Sequence, residues 1–360
     1  MNEPLDTRSS LPGNPPHSNN GSAGGIKPDA LPELPPVEAP SAGFIVQLFA
    51  IPAIVVLVVI LVWLLFGRLA GGERDAMEYV RLIRGSSNNW RAANRAAYEL
   101  ASLIQNDSKV ASDPKLLGEL TDLLNHDLDQ VDNPEMTQYV TLAIGRFQTV
   151  EARTATGQAV DPLAALARAL DSKYPDGVRI AAAVSLAQWA AREEGALHDA
   201  NAIAALARAG ESGEPAVRQT VAYALGFFGG DAARDALRSR LNDPDRFVRY
   251  NAAVALARRG DESAAPTLRE MLSPSDLETV ITLETPSETR AKIESIHLEA
   301  LGALESAVQS GEFDLATAVR PEIEALTRSG LAGVRNGAQA LLKSLPSPPT
   351  ARSASSGAGA

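Results

Sequence analysis

The sequence predicts an all-α repeat fold, a stack of helix pairs, preceded by one transmembrane helix. Three observations carry this reading. Residues 217–241, "VRQTVAYALGFFGGDAARDALRSRL", and 248–272, "VRYNAAVALARRGDESAAPTLREML", match position for position without a gap. The offset is 31 residues, and a fixed period of that size is the mark of a stacked supersecondary unit. Alanine and leucine dominate the middle of a chain that is 45% hydrophobic but only 5% aromatic, which suits helices packed closely through small side chains. Finally, residues 44–66, "FIVQLFAIPAIVVLVVILVWLLF", form an uncharged apolar run of 23 residues.

In chain order, residues 1–42 are rich in Pro, Gly, Ser and Asn and cannot bury enough apolar surface to offset their ordering entropy, so a disordered tail is expected. "PELPP" within it also has the form of a polyproline ligand, but the plain tether is preferred. Residues 43–67 then hold the span. At about 1.5 Å per residue the apolar run exceeds the ~30 Å hydrocarbon core, with Trp63 placed as an aromatic anchor near one end. A cleaved signal peptide would have a shorter apolar core and a basic leader, unlike the long stretch that comes first here. Arg68, Arg74, Arg81 and Arg84 follow the span, whereas only Lys27 lies close before it. The positive side is C-terminal, which puts the C-terminal domain in the cytoplasm, with the bacterial inner membrane as the expected location.

Residues 72–345 read as helices. "ERDAMEYVRLIR" carries Met77, Val80 and Ile83 on one face, "WRAANRAAYELASLI" (90–104) is a second helix, and "DPKLLGELTDLLN" (113–125) a third, opened by an Asp-Pro start. The repeat signature is an apolar residue followed eight positions later by Leu or Ile, with alanines between. It fits Val178 to Leu186, Val217 to Leu225, Val248 to Leu256 and Val334 to Leu342, and more loosely Met136 to Ile144. Second helices follow at 161–170, 200–210, 232–241 and 264–272, with Pro, Gly, Asp and Ser punctuating the joints. Val248, Ala252, Ala255 and Leu256 on a first helix, and Leu268, Met271 and Leu272 on a second, are the expected core. After 272 the pattern loosens. Residues 276–290 lack a helical stripe and are expected to be a loop, followed by single helices over 290–311 and 313–330. Residues 346–360 are again disordered by composition.

The segments "EPAVRQTVAYALGFFGGDAARDALRSRL" and "DRFVRYNAAVALARRGDESAAPTLREML" resemble HEAT repeats, in particular the short type of phycobilisome-lyase-like arrays. The resemblance implies antiparallel helix pairs stacked into a right-handed α-solenoid. It covers about 134–272 well, and 75–125 and 290–345 by looser patterning.

Composition excludes several chemistries. The chain has no cysteine, so disulfides, thiolate metal sites and cysteine nucleophiles are absent. His17, His126, His198 and His297 are scattered, with no two at a metal-ligand spacing. A net charge of -11 argues against a nucleic-acid surface. "GFFGGD" (226–231) lacks the Lys-Ser/Thr of a phosphate loop, and its glycines fall at a turn between helices. Of Phe227 and Phe228, one is expected in the core and one on a binding surface. Trp90 and Trp189 read as core. His297, with Glu294 on its face, reads as a helix-surface pair.

The residue after the first signature position is arginine in four units: Arg179, Arg218, Arg249 and Arg335. Recurrence points to a structural ladder, each arginine bonding a carboxylate or helix-end carbonyl near Asp176, Glu214 or Asp245, rather than to a basic stripe for a partner. No catalytic, cofactor-binding or metal-ligating residue is identified, and no cofactor is expected. The function that follows is a membrane-anchored scaffold for protein–protein interaction, with no catalysis of its own, contacting the bilayer through 44–66 and a protein partner through the concave face made by second helices. The alternatives are a bilin- or chromophore-lyase-like enzyme, suggested by the repeat subtype, and an accessory subunit of a membrane complex.

Overall fold

The computed structural model describes residues 43, 53–62, 75–85, 89–130, 133–193 and 197–346. The chain divides into two compact units, Met1–Gly72 and Glu73–Ala360, and each is described by itself. In the first, 53–62 form helix α1, whose large apolar side chains are all exposed, from 45% at Val62 to 60% at Val59. The expected span at 44–66 falls mostly outside the described residues. Among the described residues no helix is long and apolar enough to cross a membrane. The two expected tails also lie outside them, apart from Pro346 at the start of the second.

The second unit is a succession of helices: α2 (Ala76–Gly85), α3 (Trp90–Asn106), the single turn α4 (Ser108–Ala111), α5 (Pro114–Gln130), α6 (Pro134–Gly145), α7 (Pro162–Ala169), α8 (Asp176–Arg192), α9 (Ala200–Ala209) and α10 (Pro215–Leu225). It continues with α11 (Asp231–Arg240), α12 (Arg246–Ala257), a short 3-10 turn, α13 (Ala265–Leu272), α14 (Pro274–Val280), α15 (Pro286–Gln309), α16 (Asp314–Ala318), α17 (Arg320–Leu326) and α18 (Ala332–Ser344). Among the described residues there is no strand, only an isolated antiparallel bridge between Arg153 and Ala159.

Local chemistry sets the starts. Six of these helices begin with proline, which lacks the N–H that a first turn leaves unpaired. Asp161 accepts from the Ala164 N–H at 3.1 Å, Asp199 from Ala202 at 2.7 Å, and Asp245 from Phe247 at 2.9 Å and Val248 at 3.1 Å. The expected Asp-Pro start of α5 is present, with Asp113 accepting from the Lys115 N–H at 2.8 Å. Gly230 at φ 85° closes the "GFFGGD" turn and opens α11, a left-handed conformation that costs glycine little.

First helices stack on first helices in the order α3, α6, α8, α10, α12, α15, α18; second helices form a layer of α5, α7, α9 and α11, and further along the chain α13 packs on α17. A unit of this size cannot cover its own apolar face, so each is completed by its neighbour. The core is accordingly one cluster running from Tyr79 to Leu345. The predicted core residues Val248, Ala252, Leu256, Leu268, Met271 and Leu272 are fully buried, and Ala255 nearly so. Trp189 is core as expected, while the side chain of Trp90 lies outside the described residues.

Two close approaches show why small residues stand where they do. A Cβ on Gly145 of α6 would lie 2.6 Å from the Ser185 hydroxyl of α8, which itself donates to the Thr141 carbonyl at 2.8 Å. A Cβ on Gly118 of α5 would lie 2.1 Å from the Arg153 carbonyl oxygen, so the loop before α7 sits backbone to backbone on that helix.

Three expectations of secondary structure are corrected. Residues 276–290 are not a loop: α14 covers Pro274–Val280, capped by the Ser273 hydroxyl, and α15 starts at Pro286. The helix expected at 290–311 starts earlier, inside a capping box in which Thr285 accepts from the Glu288 N–H and Glu288 from the Thr285 N–H. The single helix expected at 313–330 is two, α16 and α17. Pro321 lies in the first turn of α17, where a missing N–H is tolerated, whereas a continuous helix would have needed it.

Candidate functional site

The recurrent arginines are held between units. Arg179, only 5% exposed, donates to Asp176 and the Ser212 hydroxyl, each at 3.0 Å, and to the Leu170 and Ala209 carbonyls. Arg218 makes a two-pronged pair with Asp243, both contacts 2.9 Å, and also reaches the Ser212 and Gly213 carbonyls. Arg249 donates to the Asp243 carbonyl at 3.0 Å and straddles the Glu270 carboxylate. Arg335 donates to the Ser329 carbonyl at 2.7 Å. The ladder expected from recurrence is present: Arg179 pairs with Asp176, and Arg218 and Arg249 reach helix-end carbonyls beside Glu214 and Asp245. The carboxylates that Arg218 and Arg249 also engage are Asp243 and Glu270, while Glu214 and Asp245 cap helices α10 and α12.

A second set of donors lies three residues past two of the signature ends, Leu186 and Leu256. Trp189 donates its indole N–H to the Ile144 carbonyl at 3.2 Å, and Arg259 donates to the Gly226 and Phe228 carbonyls. Arg192, one turn further along α8, reaches the Gly145 and Phe147 carbonyls, both at 2.7 Å. Each donor belongs to one unit and each acceptor to the unit before.

These placements explain the titration behaviour. Burial opposes ionisation of Asp243, but the Arg218 guanidinium and the Asp245 N–H outweigh it and hold its pKa below the ordinary range. Burial likewise opposes ionisation of Asp261, and Ser263 and Arg238 overcome it. Burial drives the Tyr250 hydroxyl upward, reinforced by its 2.7 Å hydrogen bond to Glu270. Burial lowers Arg192 and Arg259.

Among the hollows along the stack, one lies on the layer of second helices and two lie where the repeat is interrupted. Between α7 and α9 an alanine-floored cleft of about 410 Å³ is lined by Arg168, Arg208 and Asn201, on the layer of second helices. Where the repeat is interrupted, the segment after α14 has a cavity on either side. One of about 900 Å³ lies among α14, α15 and the turn following α17; the other, of about 600 Å³, lies over Phe247, Tyr250 and Asn251 of α12. Ile281, Thr282 and Leu283 line both.

His297 sits on the larger cavity and corrects a further expectation. It is not a surface partner of Glu294: it is 1% exposed, and its Nδ1 lies 2.9 Å from the Met271 carbonyl oxygen. Burial lowers its pKa, opposed by that hydrogen bond and by Glu278. The sequence hid this because the helix that buries it, α14, lacks an apolar stripe; only Leu277 of α14 is buried. Phe228 is core, as expected for one of its pair, while Phe227 is half-buried against Tyr223, ring centroids 5.0 Å apart. Among the described residues no group of three or more His, Asp or Glu side chains is placed to hold a metal ion.

A family model described as HEAT repeats matches residues 163–246 and, overlapping, 202–283. That is the segment where the period is most regular, and the description does not separate a lyase-like subtype from others. No curated protein matches the sequence. Among solved structures, an engineered protein is similar over 76% of this chain and 68% of its own, at 20% identity and a TM-score of 0.45. A designed armadillo repeat protein in complex with the peptide (KR)4 is similar over 76% of this chain and all of its own, at 18% identity and a TM-score of 0.39. Human deoxyhypusine hydroxylase in complex with glycerol aligns over 78% of this chain and 98% of its own, at 16% identity and a TM-score of 0.27.

Proposed function

We propose that the chain is a scaffold that binds protein partners along its helix stack, has no catalysis of its own and is held at a membrane by residues 44–66. One observation carries the scaffold reading. The repeated polar residues are engaged between units, so they build the stack, and the surface left over consists of broad clefts between helices and beside α14. Among the groups whose pKa values depart from the ordinary range, Asp243, Asp261 and Tyr250 are tied into structural pairs. Affinity then comes from area along the second helices, the concave side of a right-handed solenoid, rather than from one reactive centre.

The anchor reading rests on the uncharged run at 44–66 and on α1, whose described apolar side chains are all exposed and would face lipid favourably. The arginines just after the run favour a cytoplasmic scaffold. Crosslinking in intact membranes followed by mass spectrometry tests the scaffold: a reproducible set of partners attached to second helices supports it, and no reproducible partner sinks it. Protease added to spheroplasts tests the orientation, since digestion of the helical unit from outside would reverse it.

A further inference from the structure

The cavity of about 900 Å³ has a chemistry that the stacking role does not use. Its walls are apolar where Ile281, Ile293 and Leu326 meet. Arg290 of α15 and Arg328 of the turn after α17 both line it, and the Arg290 guanidinium reaches that turn, 4.0 Å from where a Cβ on Gly330 would lie. Both are exposed, and among the described residues neither guanidinium has a carboxylate or carbonyl partner. This contrasts with the ladder arginines, every one of which is bonded.

His297 adds a direction. The Met271 carbonyl can only accept, so the Nδ1 at 2.9 Å carries the proton, and Nε2 of the neutral ring is a bare acceptor. Burial, which disfavours the charged imidazolium, keeps the ring in this form. A cavity-lining group thus offers a lone pair to a hydrogen-bond donor at the end of an apolar body. A volume in this range accommodates an aromatic side chain together with the backbone that presents it. Glu278 and Glu284 line the same cavity on the side of α14 and the following segment, so the rim carries both signs and disfavours a long acidic run.

We propose that this cavity docks a tyrosine of a partner protein, its ring among Ile281, Ile293 and Leu326, its hydroxyl donating to His297 Nε2, and an adjacent single carboxylate paired with Arg290 and Arg328. The inference rests on the protein-binding reading and gives it a specific anchor. Tyrosine fits because an apolar body ending in a polar donor is what the wall and the imidazole together require. The carboxylate fits because a guanidinium pair without internal partners is satisfied by an anion.

The test uses the full chain in detergent micelles and a fluorescein-labelled peptide, Gly-Ser-Glu-Tyr-Ser-Gly, followed by anisotropy. Saturable binding is expected, weakened about fivefold when the peptide tyrosine is replaced by phenylalanine, and lost with alanine. Arg290→Ala and Arg328→Ala should each weaken binding about tenfold, while Lys109→Ala, at an exposed position of α4 away from the clefts, leaves it unchanged. His297→Asn keeps an N–H for the Met271 carbonyl but, its side chain being shorter, leaves no acceptor at the Nε2 position, and should weaken the tyrosine peptide to the level of the phenylalanine one. Should that variant fail to fold, the tyrosine-to-phenylalanine comparison on the unaltered protein asks the same question. Equal affinity for the tyrosine, phenylalanine and alanine peptides, absence of saturable binding, or insensitivity to both arginine variants overturns the proposal. Membrane crosslinks that persist in the Arg290→Ala, Arg328→Ala double variant, alongside a failed peptide assay, would remove this pocket and leave the scaffold standing.

Discussion

At the scale of single residues, Asp243 joins three parts of the stack. Its carboxylate takes both prongs of Arg218 and the Asp245 N–H, and its carbonyl takes Arg249. The two side chains of the pair are only 11% and 4% exposed. Removing one partner leaves the other charge buried and unpaired, so Asp243→Asn should lower the unfolding free energy by about 3–5 kcal/mol in denaturant titrations. Arg208→Ala, which removes an exposed side chain, should stay within about 0.5 kcal/mol. Because folding lowers the Asp243 pKa, the stability from this pair is present above the ordinary aspartate value of 3.8 and is lost as pH falls through the folded value.

His297 acts in a different window. Its pKa is lower in the folded protein than the ordinary 6.5, so the unfolded chain takes up the proton first as pH falls. Its contribution is complete above 6.5 and declines as pH drops toward the folded value. The melting temperature should therefore fall between about pH 7.5 and about pH 5.5, and His297→Asn should reduce that fall. An unchanged pH slope in the variant would mean that other groups set it. None of this was legible in the sequence, because the burial of His297 depends on α14 and on the Met271 carbonyl 26 positions away. The ladder arginines were legible from recurrence alone. Their partners were not, since Arg218 to Asp243 and Arg249 to Glu270 are contacts fixed only when one unit turns back on itself.

At the scale of elements, periodicity worked where apolar positions recur and failed where caps decide. Val248 to Leu256 announced α12 and its core face. Leu256 is fully buried, and Leu256→Ala should cost about 2–5 kcal/mol through the cavity it leaves. The short helix α14 announced itself only through Ser273 and Pro274, signals of a start without the stripe that sustains a helix. For α15 the reciprocal capping box fixes the first turn, and Thr285→Ala should lower stability by about 1 kcal/mol, read as a shift of the denaturation midpoint. The same logic explains the division of α16 from α17: the sequence over 313–330 is helical in composition throughout, and one proline decides where it breaks.

At the scale of the whole molecule, the contact division after Gly72 makes the helical unit self-contained in its packing. A chain beginning at Glu73 should unfold with the same midpoint as the full chain and leave the membrane fraction on alkaline carbonate washing, while the full chain stays in the pellet. Release of the full chain as well would end the anchor reading. The sequence made the stack readable because repetition multiplies a weak signal. It left the two cavities beside α14 unread because they arise where repetition stops, at the inserted α14 and the turn before α18, where no neighbouring copy predicts the geometry.

The clasps made by Trp189, Arg192 and Arg259 close on carbonyl oxygens of the preceding unit. Every residue carries a carbonyl, so these clasps place no demand on which side chain stands beneath them. A unit can drift in sequence while remaining joinable to the next, which is how 136–144 can depart from the central pair yet stay in line with it. The array is in this sense written in interchangeable parts, and a further copy of 217–247 inserted before Val248 should be accepted as one more link.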